Sequence, residues 1–394
     1  MEPIDVAVVG AGPYGLSVAA HLAPRYRVRL FGRAMQTWRE RMPQDMLLRS
    51  DWDHTNLSAP GDQGGINAWL AATGERRTEP LPLTMFLRYA EWFMARFVPD
   101  IDERWVEEIS LDGGRFVLRT DGGRIVQARN VVLAIGVTPF PYVPEAFRHL
   151  GPEHVSLAVD APRGNVLSGR RVVVVGGGQN GLEAALRAYK AGAASVELIV
   201  RSRIRWFAAH EPDTKRGPVH SRLYRLAYPI VGFGPPPLNR LVLHPQLFAR
   251  MPESLRERIT RRLLRSGGSP WLRDALDGHV GYREGASVIR AEPQGQGVRL
   301  QMADGNIVEA DHIVLACGFR FDLSRITALT ADVAARIHCS PKTGWPVIGH
   351  GSETTCAGVH LAGYPMEGAF GPLVRFVEGT RFAARLCAAS IRSA

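Results

Sequence analysis

The feature that most constrains the fold is a glycine-rich loop that occurs twice, each time directly after a β-branched strand. The run from Ile4 to Val9 predicts a strand, and Gly-Ala-Gly-Pro-Tyr-Gly follows at residues 10–15, before a helical pattern from Leu16 to Leu22. A second strand, Arg171 to Val175, is followed by Gly-Gly-Gly-Gln-Asn-Gly at residues 176–181. Such glycines allow a tight turn and a close approach to a pyrophosphate, and the next helix presents free N–H groups and its positive dipole end. The sequence therefore predicts two dinucleotide-binding sites.

The remainder of each unit repeats as well. Strands that turn at Asp121-Gly122 lead into a run ending Leu-Ala-Ile-Gly at residue 136, and strands that turn at Asp304-Gly305 lead into a run ending Leu-Ala-Cys-Gly at residue 318. Asp-Gly between apolar alternations is a hairpin signal. Because loop, hairpin and closing strand recur in the same order, the sequence predicts an α/β protein with two Rossmann-like dinucleotide-binding domains.

Composition excludes several other classes of protein. The 394 residues are 45% hydrophobic and 22% charged, so the chain can bury a large core without disulfides or metals. The formal charge is +10, but all except three of the 48 basic residues are arginine. That bias is more typical of a GC-rich genome than of a nucleic-acid surface, so we expect no nucleic-acid partner.

Cysteine usage and the N-terminus predict the compartment. Cys317, Cys339, Cys356 and Cys387 show no C-x-x-C spacing, which indicates buried free thiols and neither a metal site nor a dithiol pair. No run approaches the roughly 20 apolar residues of a membrane span, and the first residues lack a signal-peptide pattern. We predict a cytoplasmic protein that does not bind membranes.

A long segment, about residues 205–285, separates the strand from Ser195 to Val200 from the second hairpin. It contains a Pro-rich stretch at 232–237 and a basic amphipathic helix from about Leu255 to Leu264. Two interpretations stay open: a solvated basic face, or an insertion that closes over or shapes a substrate site. Its polar residues that are candidates for ligand contact, and are equally typical of a surface, are His210, Glu211, Asp213, His220 and His244.

These residues together resemble flavoproteins with two dinucleotide-binding domains, in which an NADPH domain is inserted into a FAD domain. Within that class the chain is similar to single-component NADPH-dependent monooxygenases, which include flavin-containing monooxygenases, ornithine and lysine N-hydroxylases, and FAD-dependent urate-hydroxylase-like proteins. The segments that carry the resemblance are residues 8–22, 31–39, 46–50, 171–185 and 369–377. The resemblance implies a FAD domain of residues 1–148 and 323–394, and an NADPH domain of residues 152–322 with the helical and Pro-rich insertion at about 205–285.

For FAD, the resemblance places the pyrophosphate on the first glycine loop. The acid that usually binds the adenine ribose about 20 residues further on is missing, because Gly32 stands there. A helix from Pro372 through Phe376 to about Leu386 is expected to direct its N-terminus at the flavin. The residues expected to bind FAD are Gly10, Gly12, Pro13, Tyr14, Gly15, Arg33, Trp38, Ala134, Gly136, Gly371, Pro372 and Leu373.

For NADPH, the second loop is expected to hold the pyrophosphate. Arg201 occupies the place of the ribose acid, where an arginine can pair with a 2′-phosphate and an acid would favour NADH. A surface arginine in an Arg-rich chain is the alternative. The residues expected to bind NADPH are Gly176, Gly178, Gln179, Asn180, Gly181, Arg201, Ser202 and Arg203.

One further segment, Thr55-Asn56-Leu57-Ser58, resembles the T-N-x-S segment of flavin-containing monooxygenases. The resemblance implies that the Asn56 amide lies on the oxygen side of the flavin, and Asn56 is the predicted catalytic residue; a turn residue is the alternative. The chain departs from that family where an F-x-G-x-x-x-H segment is expected, because His154 is out of register.

The function that follows is a FAD-dependent monooxygenase that consumes NADPH. It would insert one atom of O2 into a small-molecule substrate through a C4a-(hydro)peroxyflavin. Two alternatives stay open: an NAD(P)H-dependent flavoprotein reductase that passes electrons to an acceptor protein such as ferredoxin, and a nucleotide-binding sensor or scaffold.

Overall fold

The computed structural model describes residues 3–48, 50, 52–98, 100–160, 165–206, 238–264, 266–349 and 351–391. Within these residues the chain divides into two compact units. The first unit takes its described residues from 1–140, 238–264 and 321–391, and the second from 141–206 and 266–320. The second unit is thus inserted into the first along the chain, and the α/β class with two Rossmann-like units is confirmed.

The first unit is built on a seven-stranded sheet. Its strands are β1 (Ile4–Val9), β2 (Val28–Phe31), β3 (Ile101–Asp102), β4 (Val106–Asp112), β5 (Arg115–Thr120), β6 (Ile125–Leu133) and β15 (Val359–Leu361). The order is β3-β2-β1-β6-β5-β4, with β15 also pairing with β6. Pairs β1–β2, β1–β6, β2–β3 and β6–β15 are parallel, whereas β4, β5 and β6 form an antiparallel meander.

Helices, strands and loops all contribute to the apolar core of the first unit. The helices are α1 (Pro13–Leu22), α2 (Ile66–Thr73), α3 (Leu83–Phe97), α5 (Leu238–Val242), α6 (Pro245–Ala249), α7 (Glu253–Leu263), α9 (Ala331–Ala335), α10 (Glu367–Phe370) and α11 (Thr380–Ser390). The core contains fully buried aromatic rings from α3 and from the loops before it, Phe86 and Trp52 among them.

The second unit repeats the plan on a smaller scale. A parallel sheet has the order β10-β9-β8-β14-β7, and a separate antiparallel meander joins β11, β12 and β13. The bounds are β7 (Val155–Leu157), β8 (Arg171–Val175), β9 (Ser195–Val200), β10 (Gly281–Glu284), β11 (Val288–Gln294), β12 (Gly297–Met302), β13 (Ile307–Ala310) and β14 (His312–Leu315), with helices α4 (Gln179–Lys190) and α8 (Pro270–Leu276). The predicted hairpins at Asp121-Gly122 and Asp304-Gly305 are confirmed as the turns between β5 and β6 and between β12 and β13.

The segment expected as one insertion, about 205–285, is divided between the two units. Residues 238–264 pack with the first unit, where α6 and α7 contact α10, whereas 266–285 belong to the second. The basic helix predicted from Leu255 to Leu264 is α7. Its Ile259 side chain is buried, and the helix belongs to the first unit. His210, Glu211, Asp213 and His220 lie outside the described residues.

The predicted helix from Pro372 to about Leu386 is wrong in its first half. Residues Pro372–Arg375 form a 3-10 turn, Phe376 is extended (φ −103°, ψ 159°), and α11 begins only at Thr380. The Tyr14 hydroxyl donates to the Phe376 carbonyl oxygen at 2.6 Å. The Phe376 carbonyl oxygen also accepts from the Gly379 N–H at 3.0 Å, and the Tyr14 contact spans 362 residues, so local sequence gives no sign of it.

Candidate nucleotide-binding sites

In the first glycine loop, two glycines are closely packed and a third faces open space. Gly10 has φ +107°, a conformation that favours glycine, and a Cβ there would overlap the Ala134 carbonyl oxygen. A Cβ on Gly15 would overlap the Gly10 carbonyl oxygen. Gly12 differs, because its Cβ would meet no atom within 4 Å. The N–H groups of the first turn of α1 have no intrahelical acceptor, so this open cradle fits a pyrophosphate.

The loop is held against the C-terminal part of the same unit. Tyr14 donates a hydrogen bond to Phe376, and its ring also packs closely on Gly363. A Cβ built on Gly363 would lie 3.1 Å from that ring. Burial is the main reason that the pKa of Tyr14 is raised well above its usual value. Pro13 is the first residue of α1 and is buried. Through these contacts the first loop packs against residues of its own unit.

The carboxyl end of β6 supplies Ala134 and Gly136. The Ala134 N–H donates to the Val9 carbonyl oxygen at 2.8 Å, which fixes the end of β6 beside the glycine loop. Gly136 has φ +67° and no atom within 4 Å of its Cβ direction. Because ligands of open α/β sheets bind outside the carboxyl ends of the strands, this edge completes the candidate FAD cradle.

No acid stands at the end of β2. Gly32 is buried with φ +111°, and its N–H donates to the Asp102 carbonyl oxygen at 2.8 Å. The Asp102 carboxylate itself accepts from Arg104 at 2.7 Å, which lowers its pKa, and lies 3.4 Å from Arg124. Arg33 is exposed. A ribose bound here would therefore meet backbone and a guanidinium, and the neighbouring carboxylate is already paired.

Trp38 lies on a single π-helical turn, Thr37–Arg41. Its ring packs edge-on against Phe86 with centroids 4.9 Å apart. The turn is tied to the glycine loop, since the N–H of Met35 donates to the Ala11 carbonyl oxygen at 2.9 Å. Trp38 is thus a partly buried residue that packs against the core, and its contact with FAD stays a prediction.

The second glycine loop repeats the geometry of the first. Gly176 has φ +125°, and a Cβ there would overlap the Ala316 carbonyl oxygen; a Cβ on Gly181 would overlap the Gly176 carbonyl oxygen. Gly178 again faces space, and the nearest atoms to its Cβ belong to Ser266 at 3.8 Å. The same open cradle therefore stands at the start of α4.

Of the two polar residues that begin α4, only one is exposed. The Gln179 carboxamide oxygen accepts from the backbone N–H of Ser269 at 2.9 Å and from its hydroxyl at 3.2 Å, and its amide donates to Glu183 at 2.7 Å. This side chain therefore ties α4 to the start of α8. Asn180 is exposed.

Three exposed residues, Arg201, Ser202 and Arg203, follow the end of β9. The charge of Arg201 lowers the pKa of Cys317, although burial dominates and raises that pKa to about 11. Arg203 lies 3.8 Å from the Glu284 carboxylate, which also accepts from the Ile204 N–H at 2.9 Å. Sequence reasoning missed Glu284, because only the parallel pairing of β10 with β9 brings this acid beside Val200.

The C-terminal segment reaches the carboxyl edge of the first sheet after β15. Gly371 has φ +80°, and a Cβ there would be 2.9 Å from the Phe248 ring of α6. Pro372 and Leu373 are buried in the 3-10 turn. The residues expected near the flavin are therefore brought to the same edge as the first glycine loop, on a turn rather than on a helix.

Asn56 takes part in three hydrogen bonds. Its amide donates to the Asp53 carbonyl oxygen at 2.7 Å, and its amide oxygen accepts from the N–H of Ile66, the first residue of α2, at 2.9 Å. Its backbone carbonyl accepts from the Thr380 hydroxyl at 2.8 Å. The side chain is half-buried and joins a loop to a helix start; its catalytic role stays a prediction.

The four cysteines are free thiols. Burial raises the pKa of each, to about 11 for Cys317 and about 12 for Cys387. Because the thiolate is the nucleophile, these groups are poorly suited to disulfide chemistry. In the part of the chain that the structure describes, no helix is long and apolar enough to cross a membrane, and no three His, Cys, Asp or Glu side chains are grouped to hold a metal ion.

A protein-family model described as pyridine nucleotide-disulphide oxidoreductase matches residues 7–219, which include both glycine loops. The chain belongs to this family. It is also 30% identical over 210 residues to indole-3-pyruvate monooxygenase YUCCA1 of Oryza sativa subsp. japonica, a match that covers 50% of this chain and 48% of that protein. The chain thus spans about half the length of the curated relative it matches.

Solved structures share the fold over nearly the whole chain. An ornithine N-hydroxylase of Kutzneria sp. 744, in a structure with reduced FAD, NADP+ and L-ornithine, has a TM-score of 0.73 at 19% identity, covering 99% of each chain. A flavin-containing monooxygenase of Stenotrophomonas maltophilia has a TM-score of 0.66 at 19% identity, and a bacillithiol disulfide reductase of Bacillus cereus has 0.64 at 18%; both cover 99% of each chain. At these identities the likeness establishes the fold.

Proposed function

We propose that the protein is a FAD-dependent monooxygenase that consumes NADPH and transfers one atom of O2 to a small-molecule substrate. The observation that carries the proposal is the pair of glycine cradles, one in each unit, with open space at Gly12 and at Gly178. A chain with two such sites can hold a flavin nucleotide and a nicotinamide nucleotide together. The curated relative and two of the similar structures are named as monooxygenases or hydroxylases.

The roles of this chain's residues follow from the two cradles. The first loop, with Tyr14 and the end of β6, would hold FAD in the first unit, and the second loop, with Arg201, would hold NADPH in the second. When bound, FAD supplies the redox chemistry, taking electrons from NADPH and activating O2. The protein contributes binding, orientation and exclusion of water. We also place the enzyme in the cytoplasm, because its free cysteines fit a reducing compartment.

The proposal is tested with the purified protein in three steps. It should carry flavin absorbance, NADPH should bleach that absorbance without oxygen, and admission of O2 should restore it. A panel of primary amines, thioethers and ketones is then offered with 18O2. A compound that raises NADPH oxidation and gains one 18O atom supports the proposal. Protein that binds no FAD, or that never transfers oxygen to any compound while reducing an acceptor protein readily, contradicts it.

A reductase that passes electrons to an acceptor protein such as ferredoxin is the second candidate. The fold likeness to a disulfide reductase favours it, as does the formal charge of +10, which would attract an acidic partner. The two candidates differ in their response to salt. Electron transfer to an acidic protein should slow steeply as ionic strength rises, whereas oxygen transfer to a neutral molecule should not.

A further inference from the structure

A buried ion pair lies beside the first glycine loop and has no part in the cradle described above. Segment 362–379 follows β15, and the Ala362 N–H donates to the Leu133 carbonyl oxygen at 3.0 Å, which fixes its start at the carboxyl edge of the sheet. Tyr14 contacts it at Gly363 and at Phe376. The segment therefore borders the edge at which α/β sheets bind their nucleotides.

The pair joins Glu367 of α10 to Arg375, across the turn that contains Gly371. Glu367 Oε2 lies 2.8 Å from Arg375 Nε, and the two side chains are only 6% and 26% exposed. Neither atom has a hydrogen-bond partner among the described residues, so the contact is an ion pair rather than a well-directed hydrogen bond. The turn at Gly371 is thus bracketed by two opposite charges.

Arg375 has a second neighbour that keeps its guanidinium in place. The guanidinium carbon lies 4.9 Å from the centroid of the Tyr364 ring, a cation–π distance. Burial raises the pKa of Tyr364 to about 12, although Arg375 lowers it. Burial also raises the pKa of Glu367 to about 7, and Arg375 again opposes the shift. After burial, Glu378 and then Glu367 raise the pKa of Tyr14, so the Glu367 carboxylate acts electrostatically on the first loop.

A buried carboxylate and a half-buried guanidinium act over longer distances than exposed charges, because the effective dielectric constant around them is lower. A guanidinium near a flavin favours the reduced form, which gains negative charge, and a carboxylate beside that guanidinium offsets the effect. We propose that Glu367 and Arg375 together set the reduction potential of the flavin, with Arg375 raising it and Glu367 lowering it. This inference rests on the proposed function, because it requires FAD in the first unit.

The test measures the midpoint potential of the FAD-loaded protein by reduction in the presence of a reference dye, at a pH well above 7 so that Glu367 is ionised. Glu367→Gln leaves Arg375 uncompensated and should raise the potential. Arg375→Met removes the positive charge and should lower it. Each change should alter the equilibrium constant for reduction by about tenfold. The double variant should return close to the wild-type potential.

Glu108→Gln serves as the matched control. Glu108 also pairs with an arginine, Arg119 at 3.1 Å, but both side chains are over 40% exposed on the β4–β5 meander. The Glu108→Gln variant should leave the midpoint potential of the flavin unchanged. A merely structural role of the buried pair would shift both single variants in the same direction, so opposite signs support the proposal, and equal signs or no shift overturn it.

A charge-conserving variant and the flavin absorbance of the wild-type protein complete the test. If Arg375→Met does not retain FAD, Arg375→Lys keeps the charge and should hold the wild-type potential, while Glu367→Gln must still raise it. Flavin absorbance of the wild-type protein distinguishes a failure of the proposed function from a failure of the proposed role of the ion pair. Wild-type protein without FAD contradicts the proposed function, whereas FAD-loaded variants with unshifted potentials contradict only the role of the pair.

Discussion

The two glycine loops have nearly the same backbone and very different surroundings. In both, the first glycine has a strongly positive φ and lies against the carbonyl oxygen of an alanine at the end of a parallel strand. The first loop packs against buried residues of its own unit, including Met35 and Ala134. The second opens beside exposed residues, Asn180 and Arg201 among them. The same cradle can therefore suit a resident cofactor in one unit and an exchanging cosubstrate in the other.

The largest expected effect comes from the glycine that both loops use for packing. Gly15→Ala and Gly181→Ala would each push a Cβ into a backbone carbonyl oxygen, which cannot move like a flexible side chain. We expect each to lower the free energy of unfolding by about 1–3 kcal/mol or more. Urea unfolding followed by circular dichroism measures the loss. Gly12→Ala, which enters open space, is the control, and a Gly15→Ala variant as stable as Gly12→Ala would contradict the packing argument.

Substitution of the glycine that faces open space should weaken nucleotide binding without lowering the stability of the fold. Gly12→Val should leave the unfolding free energy close to wild type but fill the cradle, so that backbone bonds to the pyrophosphate are lost. Losing about 3 kcal/mol of charge-assisted bonding weakens FAD binding roughly a hundred-fold. Gly178→Val should do the same for NADPH and spare FAD. Equilibrium dialysis for FAD and steady-state kinetics for NADPH distinguish the two variants; full FAD retention in Gly12→Val would remove the first loop from the assignment.

A smaller effect is expected at the exposed end of β9. Arg201→Ala should raise the Michaelis constant for NADPH about ten- to a hundred-fold and leave NADH nearly unchanged, because a charge-assisted phosphate contact contributes about 1.5–3 kcal/mol. Arg290→Ala is the control, since Arg290 is exposed on β11 and pairs with Glu292 at 2.6 Å. An equal loss for both nucleotides in Arg201→Ala, or a similar loss in Arg290→Ala, would show that Arg201 does not read the 2′-phosphate.

The parts of this architecture that depend on local patterns were predictable. The β-branched runs place β1, β8 and β9 at their observed bounds, and glycine spacing finds both loops. The parts that depend on distant contacts were not. The hydrogen bond between Tyr14 and Phe376 joins residues 362 positions apart, and the acid beside Arg203 reaches it only because β10 pairs with β9. A turn sequence such as the one at Asn56 likewise does not show which helix its side chain will join.

The binding contacts of Gln179 illustrate the same limit within the second site. The G-x-G-x-x-G register places it at the mouth of the cradle, yet its carboxamide is bonded to Ser269 and to Glu183. Ser269 lies 90 residues further along the chain. Spacing thus identifies which backbone groups can reach a phosphate, whereas the partners of a side chain depend on the tertiary fold.

The smallest expected effects concern Asn56, and the structure allows two roles to be separated there. Its amide oxygen accepts from the first N–H of α2, so Asn56→Ala should lower the free energy of unfolding by about 0.5–1.5 kcal/mol. Asn56→Asp keeps an acceptor at that helix start, where a negative charge is favourable, but it loses the amide donor to the Asp53 carbonyl oxygen, so it should restore only part of the stability. Thermal unfolding of both variants measures this structural role.

The proposed oxygen-side role predicts a different pattern in the same two variants. Both lose the amide donor, so both should keep NADPH-driven flavin reduction near wild type while releasing more hydrogen peroxide, and less oxygenated product, per NADPH consumed. The unfolding free energy depends on the hydrogen-bond acceptor, so it should differ between Asn56→Ala and Asn56→Asp. The peroxide yield depends on the amide donor, so it should be the same in both variants. If the peroxide yield of Asn56→Asp equals that of the wild type, the amide acts only as a link between the loop and α2, and the first unit must supply its oxygen chemistry from other residues at the carboxyl edge of the sheet.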